Sequence, residues 1–122
     1  MAPPSVADRI KRLEKAGVII GYRAEIDAHA VGLAITAFIR IHICPTSYDE
    51  LLRVVSTAPE VRECLQVAEP NFFQIKVTVR DIKDLFRFAL KLNGLGETAT
   101  SIVLSSPLKL KVIDRALRQT RT

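Results

Sequence analysis

The sequence predicts an α+β fold in which six elements follow in the order strand, helix, strand, strand, helix, strand. Three observations predict it. From Ala34 onward the apolar residues recur at every second position, then at helical spacing, and this change of period happens twice along the chain. Proline, asparagine and glycine stand at the breaks between these runs, at Pro45, Pro59, Pro70 with Asn71, and Gly94. The chain has 122 residues, 48% of them hydrophobic and 25% charged, which suits one packed domain with an appendage rather than two complete domains or a disordered chain.

The first element is a helix in the stretch PPSVADRIKRLEKAG. Val6, Ile10 and Leu13 recur at helical spacing, with Arg9, Lys11, Arg12 and Lys15 elsewhere around the axis. Ser5 with Asp8 has the form of a capping box, the prolines ahead suit a first turn, and Gly17 suits the helix end. VIIGYRAEID then reads as two short β-prone runs broken at Gly21, the pattern of a small hairpin or wing. In AITAFIRIHIC, Ala37, Ile39, Ile41 and Ile43 share one strand face, and Thr36, Phe38, Arg40 and His42 share the other.

SYDELLRVVSTAP predicts a helix with Ser47 as cap and Tyr48, Leu51, Leu52 and Val55 as its apolar stripe. VRECLQVAE and FFQIKVTVR are strands around a tight turn at Pro70 and Asn71, and Phe73, Ile75, Val77 and Val79 form one apolar face. DIKDLFRFALKLNGLG is a second helix of this unit, capped by Asp81, with Ile82, Leu85, Phe86 and Ala89 inward. ETATSIVLSS is the fourth strand, and LKLKVID has the alternation of a short fifth. Two interleaved βαβ halves in this order give a ferredoxin-like βαββαβ fold, an antiparallel sheet with both helices on one face. The other sheet face then carries Phe38, Arg40, His42, Phe72, Gln74, Lys76 and Thr78. That face is too apolar for open water and too polar for a core, so a homodimer through the sheets is expected.

Charge is concentrated at the ends. The net charge is +5, of which residues 1–23 contribute +3 and residues 107–122 contribute +4, leaving −2 in the middle. Basic extremities on a near-neutral domain fit a polyanion-binding appendage, and equally fit solvated termini. No apolar run reaches the length of a membrane span and no signal-peptide pattern opens the chain, so a cytoplasmic protein is expected. Cys44 and Cys64 lie in apolar runs without metal-ligand spacing, and are expected as reduced core residues. His29 and His42 read as polar surface or interface residues, and the acidic pairs Asp49/Glu50 and Asp81/Asp84 as helix-start residues. No phosphate loop, nucleophile elbow or zinc motif is present, and nothing in the sequence calls for a cofactor or an enzyme.

PSVADRIKRLEKAGVIIGYRAEID closely resembles the recognition helix and wing of the Lrp/AsnC (feast/famine) transcriptional regulators. LAITAFIRIHI, APEVRECLQV and LNGLGETATSIVL resemble successive parts of that family's RAM domain, so the resemblance covers roughly residues 3–106. It implies a partial winged helix-turn-helix over residues 1–33, a RAM effector-binding and oligomerisation domain (a dimeric α+β barrel) over 34–110, and a basic tail over 111–122. Family members carry two helices ahead of the recognition helix, so a shortened start site, an engineered fragment or a natural truncation is expected.

The resemblance implies DNA as a partner, contacted by Ser5, Asp8, Arg9 and Arg12 at base edges or adjacent phosphates and by Lys11, Lys15 and Arg23 at phosphates. Such binding is expected to be weak or lost in a chain lacking the supporting helices. It implies an effector, an amino acid or other small molecule, at the turn of Glu69, Pro70, Asn71 and Phe72. There the family's Gly-Asp and following acidic residue are replaced. Glu69 could supply a carboxylate, whereas Pro70 removes a backbone donor. It implies a homodimer through Phe38, Arg40, His42, Gln74 and Lys76 that assembles into higher oligomers. The alternative reading is a stand-alone RAM-type ligand-binding and assembly module without DNA binding of its own.

Overall fold

The computed structural model describes residues 5–22, 24, 26–114 and 116–117. The elements are α1 (Val6–Lys15), β1 (Ile35–Ile43), α2 (Tyr48–Thr57), β2 (Val61–Gln66), β3 (Phe72–Val79), α3 (Ile82–Asn93) and β4 (Gly96–Ile102), with 3₁₀ turns at His29–Val31 and Pro45–Ser47. The sheet order is β2-β3-β1-β4, and every neighbouring pair is antiparallel. β1 is therefore parallel to β2 with β3 between them, and β3 is parallel to β4 with β1 between them. These are two interleaved split βαβ units, the ferredoxin-like arrangement.

The core follows from the alternation. Ala37, Ile39, Ile41 and Ile43 of β1 and Phe73, Ile75, Val77 and Val79 of β3 are all buried, together with Leu51 and Val54 of α2, Leu85, Phe88 and Leu92 of α3, and Leu95. β1 and β3 are the two inner strands, so their inward rows are covered by neighbours and by both helices. A one-residue slip would turn all eight side chains to the opposite face, which holds the register Ile39 opposite Ile75 and Ile41 opposite Phe73.

Helix rotation differs from expectation. In α2, Leu51 is buried as expected, but Val54 takes the second core position and Tyr48 and Leu52 are exposed. In α3, Leu85 is buried with Phe88 and Leu92, while Ile82 and Phe86 point outward. Each helix carries more apolar residues than one face holds. A period of 3.6 accommodates either of two adjoining stripes, and packing on the sheet selects between them.

Four other expectations change. Ser47 makes no side-chain cap; it closes the Pro45–Ser47 turn, its N–H donating to the Cys44 carbonyl at 2.8 Å. The described residues of 18–26 form no strand, so the wing hairpin is not seen among them. In their place Gly17 (φ 76°) closes α1, with its N–H on Glu14 and the Val18 N–H on Leu13, the paired bonds of a Schellman motif. LKLKVID contains no strand. Cys44 is exposed and Cys64 is half-buried, because β1 ends at Ile43 and Cys44 has already left the sheet. Asp81 does cap α3, accepting the Asp84 N–H at 2.9 Å. The tight turn at Pro70 and Asn71 is also present. Met1 to Pro4, and with them the prolines ahead of α1, lie outside the described residues, as do Arg23 and half of the basic tail, residues 115 and 118–122.

Candidate functional site

The turn between β2 and β3 is built by three residues in succession. Pro70 fixes φ at the second turn position, Asn71 adopts a left-handed φ of 64° at the third, and the Phe72 N–H donates to the Glu69 carbonyl at 3.2 Å. A proline followed by a left-handed asparagine is the pattern of a type II turn. The Asn71 carbonyl accepts the Ile43 N–H at 2.9 Å, which ties the turn to the end of β1.

Side chains extend that tie across the sheet. Arg40 of β1 donates to the Glu69 carboxylate. Its guanidinium carbon lies 4.6 Å from the centroid of the Phe72 ring. On the same ring His42 stacks at 4.4 Å with an interplanar angle of 8°. The Arg40 and Glu69 side chains are 48% and 55% exposed, so the pair contributes at most about 1 kcal/mol by itself. Its importance is geometric. Residues expected separately at a dimer face (Arg40, His42) and at an effector turn (Glu69, Phe72) form one contiguous cluster.

The open sheet face is continuous with this cluster. The register sets Phe38 opposite Lys76, Arg40 opposite Gln74 and His42 opposite Phe72. Phe38, Phe72, Gln74 and Lys76 are half-buried, whereas Arg40 and His42 are exposed. Thr78, on the same face, is buried at the far end of β3. The register adds residues that sequence reasoning missed. Leu65 lies opposite Gln74, and Glu63 opposite Lys76; Glu97, Ala99 and Ser101 lie opposite His42, Arg40 and Phe38. The phase of β2 is set by an irregularity between Val61 and Glu63, which simple alternation does not reveal.

The second candidate surface is α1. Ser5 accepts the Asp8 N–H at 3.1 Å and Asp8 accepts the Ser5 N–H at 3.3 Å, completing the expected capping box. Arg9, Lys11, Arg12 and Lys15 are exposed, and none has an ion-pair partner among the described residues. No residue of α1 is buried, and Val6 is 73% exposed. Glu14, the acid that would otherwise offset these cations, accepts a 2.8 Å bond from the Tyr22 hydroxyl, and that bond holds the phenol above its ordinary pKa. Four cations thus stand on a ten-residue helix with its two carboxylates engaged locally. Arg23, expected beside them, lies outside the described residues.

Among the described residues no His, Cys, Asp and Glu side chains group as a metal site, and no helix is long and apolar enough to cross a membrane. His29 is exposed in its 3₁₀ turn.

Residues 36–113 match the family model of the Lrp/AsnC ligand binding domain. The chain is 24% identical over 105 residues to the HTH-type transcriptional regulator LrpC of Bacillus subtilis, covering 86% of this chain and 73% of that protein. It is 33% identical over 105 residues to an uncharacterized HTH-type transcriptional regulator of Pyrococcus horikoshii, PH0140, covering 83% and 66%. Among solved structures it superposes on the feast or famine regulatory protein Rv3291c from M. tuberculosis, complexed with L-methionine, with a TM-score of 0.72 at 27% identity, covering 85% of this chain and 73% of that one.

Proposed function

The chain belongs to the Lrp/AsnC family, a family of transcriptional regulators with a ligand-binding domain rather than enzymes, and from that premise we propose that it regulates transcription through effector-dependent assembly. In this reading residues 34–110 are the assembly and effector unit, residues 1–33 are the DNA-contacting element and residues 111–122 are a basic tail. One observation carries the proposal: the Glu69 turn is joined to the open sheet face through Arg40, Phe72 and His42. A ligand that draws Glu69 away from Arg40 changes the surface on which a second copy packs, and so biases the assembly equilibrium.

The effector is an L-amino acid. Its ammonium pairs with Glu69 beside Pro70, Asn71 and Phe72, a reading supported by the methionine complex of the M. tuberculosis relative. The dimer forms through Phe38, Arg40, His42, Gln74 and Lys76. DNA is held by Ser5, Asp8, Arg9 and Arg12 near base edges, with Lys11, Lys15 and Arg23 on phosphates. Because α1 buries nothing, this contact is phosphate-dominated, with a dissociation constant of about 10⁻⁴–10⁻⁶ M and a steep loss with salt.

Light scattering on the chain with and without L-methionine tests the core of the proposal. The mass distribution should shift with ligand, Glu69→Ala should abolish the shift, and Phe38→Glu should give monomers, since an unpaired charge in a buried contact costs several kcal/mol. A monomeric parent, or a ligand response that survives Glu69→Ala, overturns it. Gel-shift titration at several salt concentrations tests the DNA element; tight binding indifferent to salt and to Arg12→Ala overturns that part.

A further inference from the structure

A cavity lies at the end of β3 opposite the Glu69 turn, where Thr78, Val79 and Arg80 meet the Pro59–Glu60 corner and α3. From Phe72 to Thr78 the strand advances roughly 20 Å, so this space is separate from the Glu69 turn. Its volume is about 350 Å³, within the range of pockets that enclose small metabolites. Phe88 and Val79, both buried, form an apolar floor.

Glu60 is the unusual group. Its Oε2 is shielded from solvent and accepts no hydrogen bond among the described residues, although a carboxylate oxygen removed from water ordinarily finds a donor. The backbone keeps it there. The Glu60 carbonyl accepts the Thr78 N–H at 3.0 Å and the Val61 N–H donates to the Ala58 carbonyl at 3.3 Å. The ladder irregularity follows immediately, between Val61 and Glu63; bulges of this kind re-aim side chains beside functional sites. The carboxylate is therefore held in the cavity wall by its own main chain.

The remaining charges are arranged around it. Asp84 accepts from Arg80 Nε and from Arg87 Nη1, each at 3.1 Å, which anchors both guanidiniums while leaving their other N–H groups free to donate. Lys91, also on the cavity wall, has no ion-pair partner among the described residues. The wall thus combines one carboxylate in need of a donor with three cations, two of them already neutralised in part by Asp84.

We propose that this cavity binds a small zwitterion, its ammonium on the Glu60 carboxylate and its carboxylate among Lys91, Arg87 and Arg80. A ligand with only a positive group leaves Lys91 unmatched, and one with only a negative group leaves Glu60 without its donor. This site is independent of the effector turn, and its failure leaves the reading of Glu69 intact.

Isothermal titration of the full chain with glycine, β-alanine and γ-aminobutyrate, with methylammonium and acetate as single-charge probes, tests it. At least one zwitterion should bind, and both single-charge probes should bind about tenfold more weakly or worse, which is about 1.4 kcal/mol. Glu60→Gln and Lys91→Met should each weaken binding by about the same factor, while Lys83→Met, at an exposed lysine of α3 outside the cavity lining, should leave it unchanged. Lys91 is exposed, so its variant keeps the test valid even where Glu60→Gln perturbs folding. Three results overturn the proposal: no heat with any zwitterion, methylammonium binding as well as the best zwitterion, or binding unchanged in Lys91→Met.

Discussion

The α1 segment and the β1–β3 pair are held by opposite means. Among the described residues, the bonds that shape residues 5–22 are local: the Ser5–Asp8 capping box, the Gly17 and Val18 N–H groups on the last turn, and Tyr22 on Glu14 eight residues away. In the sheet, Ile39 faces Ile75 on one side and Thr100 on the other, partners far away in sequence, and Ile39 and Ile75 are fully buried. Local bonds define where a helix starts and stops but stabilise it little. Burial stabilises, and it is cooperative. The segment without burial leaves its charges exposed, and the segment with burial holds its open face in a fixed geometry.

The strongest way to break this comparison is to remove the core beneath α3. Phe88→Ala empties a site that is 2% exposed and should lower unfolding free energy by about 3–5 kcal/mol; the equivalent truncation Ile10→Ala should move the global denaturation midpoint by no more than about 0.5 kcal/mol. Comparable effects in urea titrations would mean that α1 folds as part of the core.

Gly96→Ala comes next. A β-carbon there would lie 2.0 Å from the His42 carbonyl oxygen, backbone that cannot move without breaking the β1–β4 ladder, so a loss of about 1–3 kcal/mol or more is expected. Thermal melts read it, and a neutral result would show that the two strands separate freely at that end. Ser5→Ala should then cost about 1 kcal/mol of helix stability through the lost cap. It should appear as reduced helical signal in circular dichroism with the main transition unmoved, and a shift of that transition would tie α1 to the sheet.

The smallest effect separates the two thiols. Burial pushes the Cys64 thiol pKa up, whereas Cys44 is exposed. At mildly alkaline pH an alkylating reagent should modify Cys44 first and Cys64 more slowly, and mass spectrometry over time checks the order. The sign for stability follows: a pKa raised in the folded state helps folding below the unfolded thiol value, and that help fades as pH rises through the folded one.

Much of this was legible in the sequence, element by element. The alternation of Ala37, Ile39, Ile41 and Ile43 named the inward face of β1 because period two admits only two answers and one of them is apolar. The capping box at Ser5 and the cap at Asp81 were readable because each is a contact over three residues. The turn at Glu69–Phe72 was readable as a turn, with proline and asparagine adjacent. Its contact with Arg40 was not, since that residue is 29 positions away and meets Glu69 only once β1 and β3 have paired.

By itself the sequence determined the order of β1 to β4 with α2 and α3, the apolar faces of the inner strands, the caps of α1 and α3, and the concentration of positive charge at α1. These depend on neighbours within a few residues, or on a repeat that local geometry enforces. Tertiary structure alone decided the rotation of α2 and α3, where Val54, Phe88 and Leu92 displaced the expected Leu52, Ile82 and Phe86, because two apolar stripes were available and the sheet accepted one. It also decided which edge residues joined the open face and where Glu60 was held. Register and bulges arise from pairing between distant segments, and no local preference encodes them.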